Sequence, residues 1–277
     1  MGGVFNAQGP VAAQEGHLII TAVLIMLTVA IPLLVALYYF AWRYRAGNRN
    51  RAARYDPQHT GSAPKQLLWW LIPAVIIAII SVIDWQTTHA LDPFRPIAAP
   101  AGSGATSTLG VQVVALEWKW LFIYPQYGIA TVNYLEFPAA TPVHFDLTAD
   151  APMSSFWIPE LGSQIYAMSA MDTQLNLMAS TTGTFEGKDT EINGDGYAGM
   201  TFVAHAVTPA DFNAWIAQVK AASPALTAQG YAALAAPSEY APTSSYASVP
   251  AGLYGDILMK YMVPSSSVSS AASGMSM

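Results

Sequence analysis

The residues best placed for chemistry lie in the stretch DTEINGDGYAGM, Asp189 to Met200. Asp189, Glu191, Asn193 and Asp195 set oxygen donors at alternate positions, and Gly194 stands sixth, an outline that points to a calcium loop. The outline breaks twice. Glu191 fills a position where Asp or Asn is usual, and Met200 stands twelfth, where a bidentate Glu closes the cage. A structural loop is therefore the better reading. The chain has no cysteine, which excludes thiolate chemistry. His17, His59, His89, His144 and His205 stand at no metal-ligand spacing and read as structural or interfacial residues. There is no glycine-rich phosphate loop, nucleophile elbow or His-rich zinc pattern.

The elements that must position this loop begin with two apolar runs. From Leu18 to Trp42 no formally charged residue interrupts the sequence, and at ~1.5 Å per residue a helix of that length exceeds the roughly 30 Å hydrocarbon thickness. A second run, Leu67 to Ile83, is extended by Trp85 and the threonines beyond it. Both are expected to span a membrane, as residues 18–42 and 67–88. Pro32 and Pro73 fall inside them and are tolerated there. A chain that is 53% hydrophobic and only 10% charged fits a membrane protein better than a wholly soluble one.

Residues 43–66, between the runs, hold Arg43, Arg45, Arg49, Arg51, Arg54 and Lys65, six of the eleven basic residues. By the positive-inside bias this loop is cytoplasmic, which places residues 1–17 and everything after about His89 on the outer side. The basic loop reads as a topology signal and not as a nucleic-acid surface. The first seventeen residues lack a basic segment followed by a short apolar core and cleavage site, so no signal peptide is expected within them. The absence of cysteine is compatible with an oxidising compartment, which permits disulfides without requiring them.

After a linker at 89–110, rich in Pro, Gly and small residues, the pattern turns to alternation. Val143, Phe145 and Leu147 share one face of a strand, and His144, Asp146 and Thr148 the other. Similar runs at VQVVALEW, IATVNYLEF, TQLNLMA and MTFVAHAV predict an antiparallel sandwich or barrel over 111–208. TPADFNAWIAQVKAA then predicts an amphipathic helix. Thr208 and Asp211 form its capping box, Pro209 takes the first position, and Phe212, Trp215, Ile216 and Val219 lie on one face. The rest of an arm over 209–263 is expected to wrap an existing surface, and residues 264–277 are low in complexity.

Two outward-facing termini, a helical hairpin and an exported sandwich resemble subunit II of the haem-copper respiratory oxidases. In the cytochrome c oxidase members a cupredoxin sandwich carries dinuclear copper in the pattern C-x-E-x-C-G-x-x-H-x-x-M. Here that pattern lands on Asp189, Glu191, Asn193, Gly194, Tyr197 and Met200. Aligning IPELG with the family's V-P-x-L-G puts Ser154 at the upstream histidine position. Thiolates and imidazoles are replaced by hard or neutral groups, so the resemblance implies no dinuclear copper in this chain.

The likeness is greatest to subunit II of the bo-type ubiquinol oxidases, through FAWRYRA, THALDP, WKWLFIYPQYGIATVN, SFWIPELGSQIYAM and LAAPSEY. It implies a transmembrane hairpin, a periplasmic cupredoxin-like Greek-key sandwich and a C-terminal helical or irregular extension. It further implies a non-catalytic subunit of an inner-membrane, proton-pumping oxidase that oxidises ubiquinol and reduces dioxygen. Haems and one copper would reside in the partner subunit I, with subunits III and IV, membrane lipids and ubiquinol as further partners, and no nucleic acid. Gln66 falls where the family's glutamate marks a cytoplasmic proton entrance, and an amide cannot titrate. Trp118, Trp120, Phe122 and Tyr124, placed where copper-bearing members pass electrons, read as core or interface. The alternatives are a copper-bearing cytochrome c oxidase subunit and a free-standing tethered binding module.

Overall fold

The computed structural model describes residues 3–45, 61–100 and 108–262. Arg49, Arg51, Arg54 and His59 of the basic loop, and the tail at 264–277, lie outside the described residues. The chain divides into two compact units: Gly16–Asp92, and the residues up to Glu15 together with those from Pro93 onward.

The first of these units is helical. Helices α1 (Pro10–Arg43) and α2 (Ala63–Ala90) are both long and apolar enough to cross a membrane, and no residue of their most apolar stretches is buried within the chain. Pro32 and Pro73 sit inside them, as expected. Both helices run beyond the apolar spans, because hydrogen bonding continues past the point where side chains become polar. Exposed Trp42, Trp69, Trp70 and Trp85 stand toward the helix ends, where amphipathic rings suit a membrane–water boundary.

The second unit is a β-sandwich. Its strands are β1 (Leu109–Leu116), β2 (Lys119–Tyr124), β3 (Ile129–Val132), β4 (Tyr134–Pro138), β5 (Val143–Ala149), β6 (Ser154–Trp157), β7 (Ile165–Ala167), β8 (Thr173–Leu177), β9 (Gly183–Asp189), β10 (Thr201–Val207) and β11 (Ser244–Tyr246). One sheet has the order β11-β3-β2-β1-β5-β8 and the other β4-β10-β9-β6-β7. The sandwich is not purely antiparallel, as alternation alone suggests: β1 pairs with β5, and β4 with β10, in parallel. Both parallel pairs join strands distant in the chain, a pairing to which local periodicity is blind.

A second departure explains part of the first. IATVNYLEF reads as one strand but forms two, in different sheets, because Asn133 turns the chain with φ 53°. Asparagine tolerates this left-handed conformation better than other residues with a side chain. Here its side chain also fixes the corner. Oδ1 accepts from the Trp120 N–H at 2.8 Å and Nδ2 donates to the Ala241 carbonyl at 2.8 Å.

Between the sheets, Trp120, Phe122, Phe145, Phe156 and Phe202 form the centre of the core. The Phe156 and Phe202 rings stack at 5.0 Å, and Trp120 meets Phe156 edge-on at 5.3 Å. Tyr124 is fully buried, and its hydroxyl donates to the Glu136 carbonyl and accepts from the Glu136 N–H, both at 2.9 Å. Val143, Phe145 and Leu147 face this core, while His144 and Asp146 are half-exposed. Thr148, expected on the polar face, is buried and donates to the Met168 carbonyl at 3.3 Å.

Helix α3 (Pro209–Ala222) starts where the sequence predicts. Thr208 Oγ1 accepts from the Asp211 N–H, and Phe212, Ile216 and Val219 are buried. The remaining arm carries α4 (Ala228–Ala235), β11 and α5 (Leu253–Lys260). Leu226, Leu253, Tyr254 and Ile257 pack on Val114, Leu116, Leu121, Ile123, Ala130 and Val132, the outer face of β1, β2 and β3. The arm thus covers an existing surface, which is why β2 is buried on both faces. It also covers a charge: the buried Lys119 donates to the carbonyls of Leu234 and Ala236, at 2.9 and 2.6 Å, and so caps the C-terminal end of α4.

Candidate functional site

The positions on which the copper-loop pattern falls converge only in part. Ser154 begins β6, Asp189 ends β9, and Met200 immediately precedes β10, so three neighbouring strand ends bring them to one edge of the core. Ser154, Asp189 and Met200 are buried. Asn193 lies between them. Its Nδ2 donates to Ser154 Oγ at 2.8 Å and to Asp189 Oδ2 at 2.9 Å, with a longer contact to the Met153 carbonyl at 3.4 Å. Asp189 Oδ1 accepts from the Ser155 N–H at 2.7 Å and the Glu191 N–H at 2.9 Å. Ser154 Oγ stands 4.0 Å from Met200 Sδ.

The other two positions do not join this knot through their side chains. Glu191 contributes its backbone N–H, and its side chain is half-exposed. Tyr197 opens a short 3₁₀ turn, Tyr197–Gly199, and works through its backbone, donating to the Gly194 carbonyl at 3.3 Å and accepting from the Met200 N–H at 3.0 Å.

The donor set does not fit a dinuclear copper centre. The converging groups are a hydroxyl, a carboxylate, an amide and a thioether, whereas that centre needs bridging thiolates and imidazoles. The lone pairs that would face a metal already face the Asn193 NH₂ group. Serving both acceptors turns the amide oxygen away, and Asn193 Oδ1 is left buried without a partner. Burial pushes the Asp189 carboxyl above its ordinary value, and the hydrogen bonds from the Glu191 and Ser155 N–H groups reduce the shift without cancelling it. Among the described residues no group of three or more His, Asp or Glu side chains could hold a metal ion.

Trp118 pins the loop from outside. It adopts φ 60° in the turn between β1 and β2, and its indole lies over Gly194 and Gly196. A Cβ at Gly196 would stand 2.3 Å from the ring, so the close approach requires glycine. Gly194, which fits a calcium outline in sequence, and Gly196 instead make room for a tryptophan.

A second polar cluster escaped the sequence reading. Asp150, just past β5, accepts from Lys260 Nζ at 2.6 Å, Tyr261 OH at 2.5 Å and Tyr231 OH at 2.7 Å. Its side chain is 1% exposed. Burial pushes its carboxyl up, but the hydrogen bonds from Lys260, Tyr261 and Tyr231 outweigh burial and bring it below the ordinary carboxylate value. Tyr254 OH likewise donates to Asp172 at 2.6 Å. These contacts clasp the arm to the sandwich. The only sequence signal was a recurrence of Tyr in the arm, with nothing to say which acids they meet.

Gln66 lies in the first turn of α2, exposed, with its N–H donating to the Ser62 carbonyl at 3.1 Å. His17 and His89 lie in α1 and α2, and His144 and His205 in β5 and β10.

A family model described as the COX aromatic rich motif matches residues 220–265, the arm. The chain is 46% identical over 258 residues to the cytochrome bo(3) ubiquinol oxidase subunit 2 of Pseudomonas aeruginosa, covering 93% of this chain and 76% of that protein. It is 45% identical over 258 residues to the ubiquinol oxidase subunit 2 of Acetobacter aceti, covering 93% and 82%. A solved periplasmic domain of cytochrome oxidase subunit II from Bradyrhizobium japonicum aligns at 20% identity and a TM-score of 0.39, over 44% of this chain and 96% of that one.

Proposed function

The chain belongs to the ubiquinol oxidase subunit 2 family, and from that premise we propose that it braces the haem-bearing subunit I of a proton-pumping terminal oxidase without itself conducting electrons. The complex oxidises ubiquinol and reduces dioxygen to water. Haems, copper and the quinol site belong to the partner, and subunits III and IV complete the assembly. Helices α1 and α2 span a bacterial inner membrane, with the basic loop cytoplasmic and the sandwich periplasmic.

The observation that carries this reading is the Asn193 amide placed between Ser154 and Asp189. A subunit that relays electrons from a soluble cytochrome needs a metal at that point. A donor set closed by neutral hydrogen bonds supports architecture instead. The aromatic strand agrees, since Trp120, Phe122 and Tyr124 are core residues and Trp118 covers a loop of hydrogen-bonded polar groups.

Native purification followed by subunit identification and oxygen-uptake assays tests the proposal. The expected result is co-purification with a haem-bearing subunit and oxygen uptake driven by ubiquinol but not by reduced cytochrome c. Isolation of the chain alone would favour a free-standing module, and cytochrome c oxidation would favour a copper relay.

A further inference from the structure

The outer edge of the six-stranded sheet carries a group of side chains that neither the copper-site knot nor the arm uses. Strand β8 is that edge, so the N–H groups it turns away from β5 find no partner within the sheet. The N–H of Asn176 is satisfied instead by the carbonyl of Pro93, at 3.1 Å, and Asn176 Nδ2 donates to the same oxygen at 3.0 Å. Asn176 is buried, and Pro93 is the first residue of the sandwich unit after α2.

The remaining contacts fix a proton count. Because Nδ2 faces a carbonyl, Asn176 Oδ1 is the atom turned to His144 Nδ1, at 2.9 Å, and that nitrogen must carry hydrogen. The other ring nitrogen, Nε2, lies 3.1 Å from Asp146 Oδ1. A neutral ring protonated at Nδ1 would set the Nε2 lone pair against a carboxylate. The geometry therefore needs one more proton, on Nε2 or on Asp146. The groups facing the pair favour keeping it: Asp172, before β8, adds a second carboxylate, and Tyr254 OH from α5 donates to Asp172 at 2.6 Å. Burial, first, and then the Asp172 charge push the Asp146 carboxyl up, against the lowering influence of His144.

We propose that His144 and Asp146 hold one shared proton that latches the chain at Pro93 to the sheet edge, and that loss of this proton as pH rises loosens the latch. Without it, the ring relieves the clash by turning or by moving its hydrogen to Nε2. Either change removes the donor to Asn176 Oδ1 and frees the Asn176 side chain from its fixed orientation.

Hydrogen–deuterium exchange at the Asn176 amide, in the full-length chain purified with its co-purifying subunits, tests the proposal. After correction for intrinsic rates, protection should fall at least about tenfold as the pH is raised from mildly acidic to mildly alkaline. His144→Gln, which cannot hold the proton, should abolish the pH dependence. Asp146→Asn supplies an amide donor to Nε2 and should keep the amide protected across the whole range. Protection independent of pH in the natural chain, or an unchanged pH dependence in His144→Gln, would overturn the proposal, as would loss of protection at high pH in Asp146→Asn.

Discussion

Asp189 and Asp150 are both buried aspartates beyond or at the end of a strand, yet their surroundings push them in opposite directions. Asp189 meets only neutral donors: two backbone N–H groups and the Asn193 amide. Burial dominates and its pKa is raised. Asp150 meets two tyrosine hydroxyls and the Lys260 ammonium, and its pKa is lowered. The difference teaches what each site is for. The Ser154–Asp189–Asn193 knot is closed by neutral donors, which suits a rigid corner of a core. A clasp between two segments uses a charge pair, whose strength depends on both partners being present.

Four substitutions and one titration would sharpen or break this contrast. The largest effect is expected for Asp150→Ala, which strands Lys260, Tyr231 and Tyr261 and should cost about 3 kcal/mol. Thermal unfolding would measure the loss, and proteolysis should show the arm cut before the sandwich. Equal resistance of arm and sandwich would contradict the clasp. Asp189→Ala leaves the Ser155 and Glu191 N–H groups unpaired and should cost about 2 kcal/mol, with no early release of the arm. Ser154→Ala removes one acceptor of the Asn193 amide and should cost about 1 kcal/mol.

The titration comes next in size. Asp150, with its folded pKa below its ordinary 3.8, adds stability that is present above that value and lost as pH falls through the folded pKa. Asp189, with its pKa raised from 3.8, has the opposite sign: its contribution is present in acid and lost as pH rises through the folded value. Acid unfolding of Asp150→Ala should therefore be flatter than that of the natural chain, and that of Asp189→Ala steeper. The smallest structural effect is expected for Gln66→Leu, on an exposed helical turn. A proton-entry role for that amide predicts slower turnover with unchanged stability, and unchanged turnover would remove the role.

Much of this architecture was legible because it depends on local pattern. Uninterrupted apolar length marks α1 and α2, and the Thr208–Asp211 spacing marks the start of α3. What stayed hidden depends on partners far along the chain. Nothing around Lys119 announces that its ammonium caps a helix 115 residues later, at Leu234. The parallel pairing of β1 with β5 is likewise a property of sheet order and leaves no periodic trace. In the candidate site, spacing identified the positions, and residue type set hard or neutral groups where a dinuclear copper centre needs thiolates and imidazoles. Only geometry shows that Asn193 takes the central place, that the Tyr197 and Glu191 side chains stand aside, and that Trp118 lies over Gly194 and Gly196.

The most direct test of the central claim is the copper-to-haem ratio of the purified complex, compared between the natural chain and an Asp189→Asn, Met200→Leu double variant. Both changes conserve volume while removing the charged and the soft donor from the knot. An account in which these residues hold one another and no metal predicts the same ratio in both preparations. A ratio that falls in the variant would show that copper was bound at these residues, and the account would be wrong.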